Sequence, residues 1–210
     1  MELLEGLKWR YATKKFDASK KISTEDLEML KEAISLTPTS YGLELYKVLL
    51  VENEEIRAQL KEAAWGQSQV TDASHVFVFC NYADVQESDI DAYLNRKATA
   101  SGIQVADLKG YGDFMKKTVV HGRDAEMKGH WTTRQTYIAL SNLMDACAEL
   151  KIDSCPMEGF DNAHFNKILG LEEKRLNAAV VATIGYRAED DATQHQTKVR
   201  KPLDELFETV

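Results

Sequence analysis

The run Ala-Ala-Val-Val-Ala-Thr-Ile at 178–184 is apolar without alternation. A strand with one face in water alternates apolar and polar residues, because successive side chains point to opposite sides. Unbroken apolarity therefore calls for a strand covered on both faces, inside a layered domain. Two more short apolar runs, Lys-Val-Leu-Leu-Val-Glu at 47–52 and His-Val-Phe-Val-Phe-Cys-Asn at 75–81, also read as strands. Helical patterns lie between them. At 23–37, Ser23 and Asp26 resemble a capping box, Leu27, Leu30, Ala33 and Ile34 share a face, and Pro38 stops the helix. A second helix spans 54–65. Interleaving of this kind defines an α/β or α+β domain. The three prolines, at 38, 156 and 202, each read as closing a regular segment.

The most apolar helical pattern lies at 132–150. Tyr137, Leu140, Met144 and Cys147 form one stripe, which Leu143, Ala146 and Leu150 widen. So broad a surface predicts a helix buried on more than one side, either at the centre of the domain or in a subunit interface. The stretch 85–129 is polar and punctuated by glycine, with weakly amphipathic pieces at 90–94 and 114–119. It reads as an excursion from the core, of the kind that covers sites. No repeat or low-complexity segment divides the 210 residues, and a single domain is expected.

Composition removes several function classes. Apolar residues at 44% and charged residues at 29% describe an ordinary globular protein, and a net charge of −8 argues against nucleic-acid binding. No run is long enough to span a bilayer. Glu2, Glu5 and Lys8 interrupt any signal-peptide core, and Cys80, Cys147 and Cys155 fit no metal-ligand spacing, so a reducing, cytoplasmic setting is expected. There is no P-loop, HExxH, CxxC or GxSxG motif, and Gly110-Tyr111-Gly112 lacks the third glycine and the preceding strand of a dinucleotide fingerprint. The five histidines are scattered, and His75 opens an apolar strand as a structural residue would. No nucleophile–base pair stands out. An enzyme whose cofactor carries the chemistry has this appearance, because its protein needs only to bind, orient and tune.

Against this acidic background two cationic clusters stand at the ends of the chain: Arg10, Lys14 and Lys15, and Lys198, Arg200 and Lys201. Domain termini often lie close together, so the clusters either meet as one phosphate pocket or remain two solvated faces. Pro156-Met157-Glu158-Gly159 is either a rigid turn whose backbone N–H groups and bare glycine admit a planar ligand, or a plain connector. Pro38-Thr39-Ser40-Tyr41-Gly42 offers hydroxyls after a helix stop. Gln67 and Gln69 precede a strand and suit the edge of a heterocycle or a solvated loop.

The order of these pieces resembles the nitroreductase family of FMN-dependent NAD(P)H oxidoreductases, including its dihydropteridine reductase-like members, over essentially the whole chain. The resemblance rests on Arg10-Tyr11-Ala12-Thr13-Lys14-Lys15-Phe16-Asp17, then Pro38-Thr39-Ser40, then Asp72-Ala73-Ser74-His75 entering a strand. It continues with Pro156-Met157-Glu158-Gly159-Phe160-Asp161, Gly185-Tyr186-Arg187 and Lys198-Val199-Arg200-Lys201-Pro202. It implies an α+β three-layer sandwich, with a central, mostly antiparallel sheet flanked by helices and an intertwined homodimer joined through long central helices. It implies that Arg10, Lys198 and Arg200 hold the FMN phosphate, with Lys15 and Lys201 left as surface charges. Tyr11, Ala12 and Lys14 would follow the polar edge of the flavin, with Gln69 and Gln67 at its pyrimidine carbonyls. Pro156, Met157, Glu158 and Gly159 would form the loop beside the reactive N5, and Pro38, Thr39 and Ser40 would arrive from the second subunit.

The implied activity is hydride transfer from NADH or NADPH to the flavin and on to quinones, nitroaromatics or similar small acceptors, in ping-pong order. No side chain is assigned as a catalytic acid or base, and no metal is implied. The alternatives are an FMN protein of the same fold with other chemistry, such as flavin destruction or reductive dehalogenation, and a non-catalytic dimeric binding protein. Tyr111 and Phe114, in the excursion, would roof the acceptor site. The chain departs from the family pattern at Glu44 and Leu45, where an amide and a proline are common, and at Trp65-Gly66-Gln67, where an Asn often precedes the Gln. An ionised Glu44 accepts but does not donate, which keeps it out of the site.

Overall fold

The computed structural model of the chain describes residues 2–210. In chain order its elements are α1 (Glu2–Trp9), α2 (Thr24–Ser35), β1 (Tyr46–Val51), α3 (Glu54–Ala63), α4 (Gln69–Asp72), β2 (His75–Tyr82) and α5 (Glu87–Ser101). They continue as α6 (Lys109–Met115), α7 (Ala125–Glu149), β3 (Asp153–Met157), α8 (Asn162–Leu169), β4 (Leu176–Gly185) and α9 (Leu203–Leu206). The strands form one sheet in the order β1-β2-β4-β3, antiparallel throughout.

The two central strands are the two most apolar, and the pleat divides their side chains between two cores. Val76, Val78, Cys80 and Val181 enter one core with Leu60 of α3, Val70 of α4 and Phe165 of α8. Phe77, Phe79, Val180, Ala182 and Ile184 enter the other with Leu30 and Ile34 of α2 and Leu140, Leu143 and Cys147 of α7. Helices thus cover both faces, and the three-layer α+β sandwich expected from the sequence is present.

Local signals behave as the residues dictate. The Ser23 hydroxyl accepts from Asp26 N at 3.0 Å and caps α2, and the helix closes at Leu36, two residues before Pro38. α7 begins earlier than the apolar stripe suggests, because the Asp124 carboxylate caps it by accepting from Met127 N at 2.8 Å. Its Tyr137 and Ile138 stay 38% and 41% exposed in the protomer, so one flank of this helix is left bare.

Two proline expectations are corrected. Pro156 does not close a segment: it lies within β3, opposite Ala182. β3 is an edge strand with one neighbour, where the missing N–H need not break the ladder. Pro202 precedes α9 and caps its start instead of ending an element. The excursion is also more regular than its weak pattern predicts. Ile90, Leu94 and Ala98 form the buried stripe of α5, which is closed by Gly102 in the left-handed region at φ +66°. α6 runs on into one wide turn at Lys116–His121. These pieces form a third, smaller core in which Ile90, Leu94, Met115 and Val119 pack on Leu43 and Leu45.

Candidate active site

The site begins at the free edge of β3. Ala12 bridges Ser154 in parallel, and Thr13 N donates to Ser154 O at 3.3 Å, which lays the basic opening segment along the sheet. The same segment is tied to the chain beyond β4. Asp17 N donates to Tyr186 O at 2.8 Å, and Ala188 N donates to Lys15 O at 3.0 Å.

Asp191 completes the join. Its carboxylate accepts from Lys14 N and the Tyr11 hydroxyl at 2.9 Å, from Lys15 N at 3.2 Å and from Thr193 N at 3.0 Å. Burial alone would raise its pKa, but these hydrogen bonds outweigh burial and hold it down at about 2. A second buried carboxylate, Asp153, accepts from Arg187 N and Arg187 Nε, both at 2.8 Å, and the guanidinium stacks over Trp9 and Tyr11 at 4.4 and 4.6 Å from the ring centres. Residue-type reasoning had passed over both aspartates. They lie in unremarkable polar sequence, and only long-range pairing reveals them.

The two ends of the chain therefore meet. Arg10, Tyr11, Ala12, Ser154, Pro156, Lys198 and Arg200 line one cleft of about 510 Å³. Among the described residues none of Arg10, Lys198 and Arg200 sits in an ion pair. Arg10 Nε is buried with no hydrogen-bond partner. Burial lowers the pKa of the Lys198 ammonium, and Arg10 and Arg200 lower it further, as expected for cations gathered without a counter-charge. Lys198 itself donates to the carbonyls of Leu7, Lys8 and Arg10 at the end of α1. An ammonium has three N–H groups, so Lys198 brings charge to the cleft and leaves direct donation to the two arginines. Lys15 pairs with Asp190 on the surface.

Beside the cleft, the Lys14 ammonium lies 3.9 Å from Cys155 Sγ, and Gln69 is buried next to the same thiol. Burial pushes the Cys155 thiol up, and Lys14 and Gln69 draw it partly back. Beyond Pro156 the loop is firmly held. Met157 is buried in the core, with the Thr183 hydroxyl 3.9 Å from its sulfur. Glu158 accepts from the Tyr137 hydroxyl of α7. Gln67 Nε2 donates to Gly159 O at 2.6 Å and Ala64 O at 3.0 Å. Both N–H groups of that amide are engaged, one on the loop and one on the end of α3, so Gln67 has only its carbonyl oxygen left for a heterocycle, a correction to the donor role suggested by its position. A Cβ on Gly159 would stand 3.2 Å from the ring of the exposed Trp65, which would have to shift by a few tenths of an ångström to admit it.

Pro38, Thr39 and Ser40 are not brought to this cleft within the protomer. Ser40 N donates to Gln135 Oε1 of α7 at 2.9 Å, and Thr39 Oγ1 accepts from Glu44 N at 3.2 Å. Tyr41 and Glu44 adopt φ of +59° and +51°, which turns Leu45 into the small core and leaves Glu44 in solvent. Phe114 and Trp131 both meet Tyr41 edge-on at 6.3 Å, and Arg123 covers Trp131 at 4.0 Å. Tyr111 lies beside Tyr93 on the same excursion. Among the described residues no three His, Cys, Asp or Glu side chains are arranged to hold a metal ion, and no helix is long and apolar enough to cross a membrane.

Known proteins share this fold. Residues 7–186 match the model of the nitroreductase family. A Staphylococcus saprophyticus protein provisionally named an NAD(P)H nitroreductase is 35% identical over 98% of this chain and 95% of its own. A Bacillus subtilis protein of the same provisional name, YfkO, is 34% identical over 100% of this chain and 97% of its own. Among solved structures, a Staphylococcus epidermidis protein provisionally named an NAD(P)H:FMN oxidoreductase superposes with a TM-score of 0.86 at 18% identity, covering 99% of this chain and 95% of that one. A nitroreductase, so named provisionally, from Exiguobacterium sibiricum was solved in complex with FMN. It superposes with a TM-score of 0.83 at 20% identity, over 100% and 98% of the two chains. The structural likenesses carry the fold, and the sequence match spans the sheet, both helical layers and the basic opening segment: this chain belongs to the nitroreductase family.

Proposed function

We propose that the protein is an FMN-dependent oxidoreductase that draws on NADH or NADPH and reduces quinones, nitroaromatics or similar small acceptors. The observation that carries this reading is Arg10, whose buried Nε has no partner in a cleft where Lys198 and Arg200 add positive charge without a carboxylate. A buried donor left unmatched costs about 1–3 kcal/mol, and a dianionic phosphate is the chemistry that satisfies it. The cleft therefore fits the phosphate of FMN. Bound there, FMN would supply the hydride chemistry that links the nicotinamide to the acceptor in ping-pong order.

The chain's own residues bind and tune. Arg10 and Arg200 hold the phosphate, and Lys198 adds charge while fixing the end of α1. Tyr11, Ala12, Lys14 and Gln69 line the polar edge of the ring system, where Lys14 favours negative charge on the reduced cofactor much as an oxyanion hole does. Pro156, Met157, Glu158 and Gly159 present backbone to it. Pro38, Thr39 and Ser40 lie away from the cleft of their own protomer, which accords with a homodimer in which they reach the partner's site. The bare flank of α7 at Tyr137 and Ile138 suits the same assembly. In this reading the dimer works in the cytoplasm, with Tyr111 and Phe114 over the acceptor.

The test compares FMN with riboflavin, which has the same ring system and no phosphate. Purified protein is titrated with each, alongside Arg10→Met and Arg200→Met. Each substitution weakens FMN binding by about 1.5–3 kcal/mol, roughly ten- to hundredfold, and leaves riboflavin unchanged. Equal affinity of the native protein for FMN and riboflavin, or no uptake of either, would sink the reading.

A further inference from the structure

One pair of side chains has no part in the cleft and yet governs the loop beside it. Tyr137 projects from the middle of α7, and its hydroxyl donates to the Glu158 carboxylate. Burial first, then this carboxylate, pushes the tyrosine pKa up to about 12, so the proton stays on the phenol throughout the physiological range. Around Glu158 the backbone is tied at three points. Glu158 O accepts from Phe160 N at 3.0 Å, Gly159 O accepts from Gln67 Nε2 at 2.6 Å, and Asp161 N reaches Ala63 O at 2.8 Å. The N–H groups of Glu158 and Gly159, by contrast, donate to nothing among the described residues. Two adjacent free donors are thus set in a loop tied at its neighbouring groups, and among the described residues the tyrosine is the only tie on the Glu158 side chain.

We propose that Tyr137 is a positioning residue: by holding the Glu158 carboxylate against α7 it fixes the orientation of the free Glu158 and Gly159 N–H groups toward the bound cofactor. The inference rests on the proposed flavin function for its consequence, though not for its geometry. Glu158 is the only acidic side chain in the loop 156–160. Released from the phenol, it would swing as a free negative charge beside the cofactor pocket, and the peptide unit it carries would lose its anchor. Both changes disfavour electron density arriving on the cofactor. The Arg10, Lys198 and Arg200 cluster is untouched, so cofactor affinity is preserved while its redox behaviour shifts.

The test uses Tyr137→Phe, which keeps the ring and its packing and removes only the hydroxyl. In the apoprotein, hydrogen exchange at the Phe160 and Asp161 amides, which close the loop on Glu158 O and Ala63 O, is expected to quicken about tenfold, the effect of losing one charge-assisted hydrogen bond. In the FMN-loaded protein, the dissociation constant stays within threefold, the midpoint potential of the flavin falls, and kcat drops several-fold with the KM for the acceptor unchanged. Glu158→Gln, which still accepts from the phenol, retains near-native exchange. Tyr137→Phe combined with Glu158→Ala exchanges no faster than either change alone, since both cut the same tie. A Tyr137→Phe protein with native exchange and a native potential overturns this proposal alone. A native protein that takes up no FMN overturns the functional reading and this consequence together, and shows it before any variant is made.

Discussion

Replacing Asp191 with Asn tests how the two ends of the chain are joined. The aspartate is 2% exposed and accepts four hydrogen bonds, three on one oxygen and one on the other. An amide of the same shape accepts on one side only, so one N–H of the variant is driven against a backbone donor. The magnitude follows from the titration. A carboxyl whose pKa drops from about 3.9 in the unfolded chain to about 2 in the fold stabilises the native state by roughly 2.5 kcal/mol at neutral pH.

The sign is set by the lowered folded-state value. The contribution is complete above the unfolded pKa, declines as pH falls below about 4, and is gone once pH has passed through about 2. Asp191→Asn is therefore expected to lower stability by about 2.5 kcal/mol at pH 7, or about 5–10 °C in Tm for a chain of this size. Urea unfolding of both proteins from pH 7 to pH 2.5 measures the gap directly. It should narrow steadily below pH 4. A gap that stays constant across that range would refute the argument, because it would mean that the ionised carboxylate is not what holds the segments together.

Other consequences are simpler to read. Arg187→Met leaves the buried Asp153 carboxylate without its cation and should cost about 3–5 kcal/mol in urea unfolding, far more than a surface pair, where the loss is under about 1 kcal/mol. Gly185→Ala places a methyl 2.9 Å from Ser74 N and 3.1 Å from the Phe16 ring, and overpacking of that kind should lower stability by about 1–3 kcal/mol by thermal melting. Cys80, Cys147 and Cys155 are all buried, and burial pushes each thiol up, Cys80 to about 12. Iodoacetamide at neutral pH should therefore label none of them in the native protein and all three in urea, as mass spectrometry would show.

Most of the sheet was legible because its central strands carry their own signal. The apolar runs at 75–81 and 178–184 fall within β2 and β4, which lie side by side with a core on either face. The edge strand was not. Asp153–Met157 is short, contains a proline and borders a glycine-bearing loop, all features of a turn, and only pairing with β4 makes it a strand. α5 illustrates the opposite failure. Its stripe of Ile90, Leu94 and Ala98 is one residue wide on an otherwise polar helix, since it covers a small satellite core and not the sheet. A narrow contact needs a narrow stripe, and periodicity alone reads that as weak.

The site divides along the same line between local and long-range information. Residue type and order pointed to Arg10, Lys198 and Arg200, and to the loop from Pro156 to Gly159. What was illegible is the set of groups that keep those cations in an acidic protein from finding ordinary partners. Asp191 spends its charge on backbone N–H groups and a phenol, and Asp153 is occupied by Arg187. Lys198 is turned onto the carbonyls of Leu7, Lys8 and Arg10, the electronegative end of α1. Both buried carboxylates are consumed by the chain itself, and Arg10 Nε is left buried at the cleft without a partner. A net charge of −8 makes that arrangement costly to assemble and also effective, because the positive field of the cleft stands alone in its surroundings. The preorganisation resides in the aspartates and backbone carbonyls rather than in the cations, and for that reason no pattern of basic residues in the sequence reveals it.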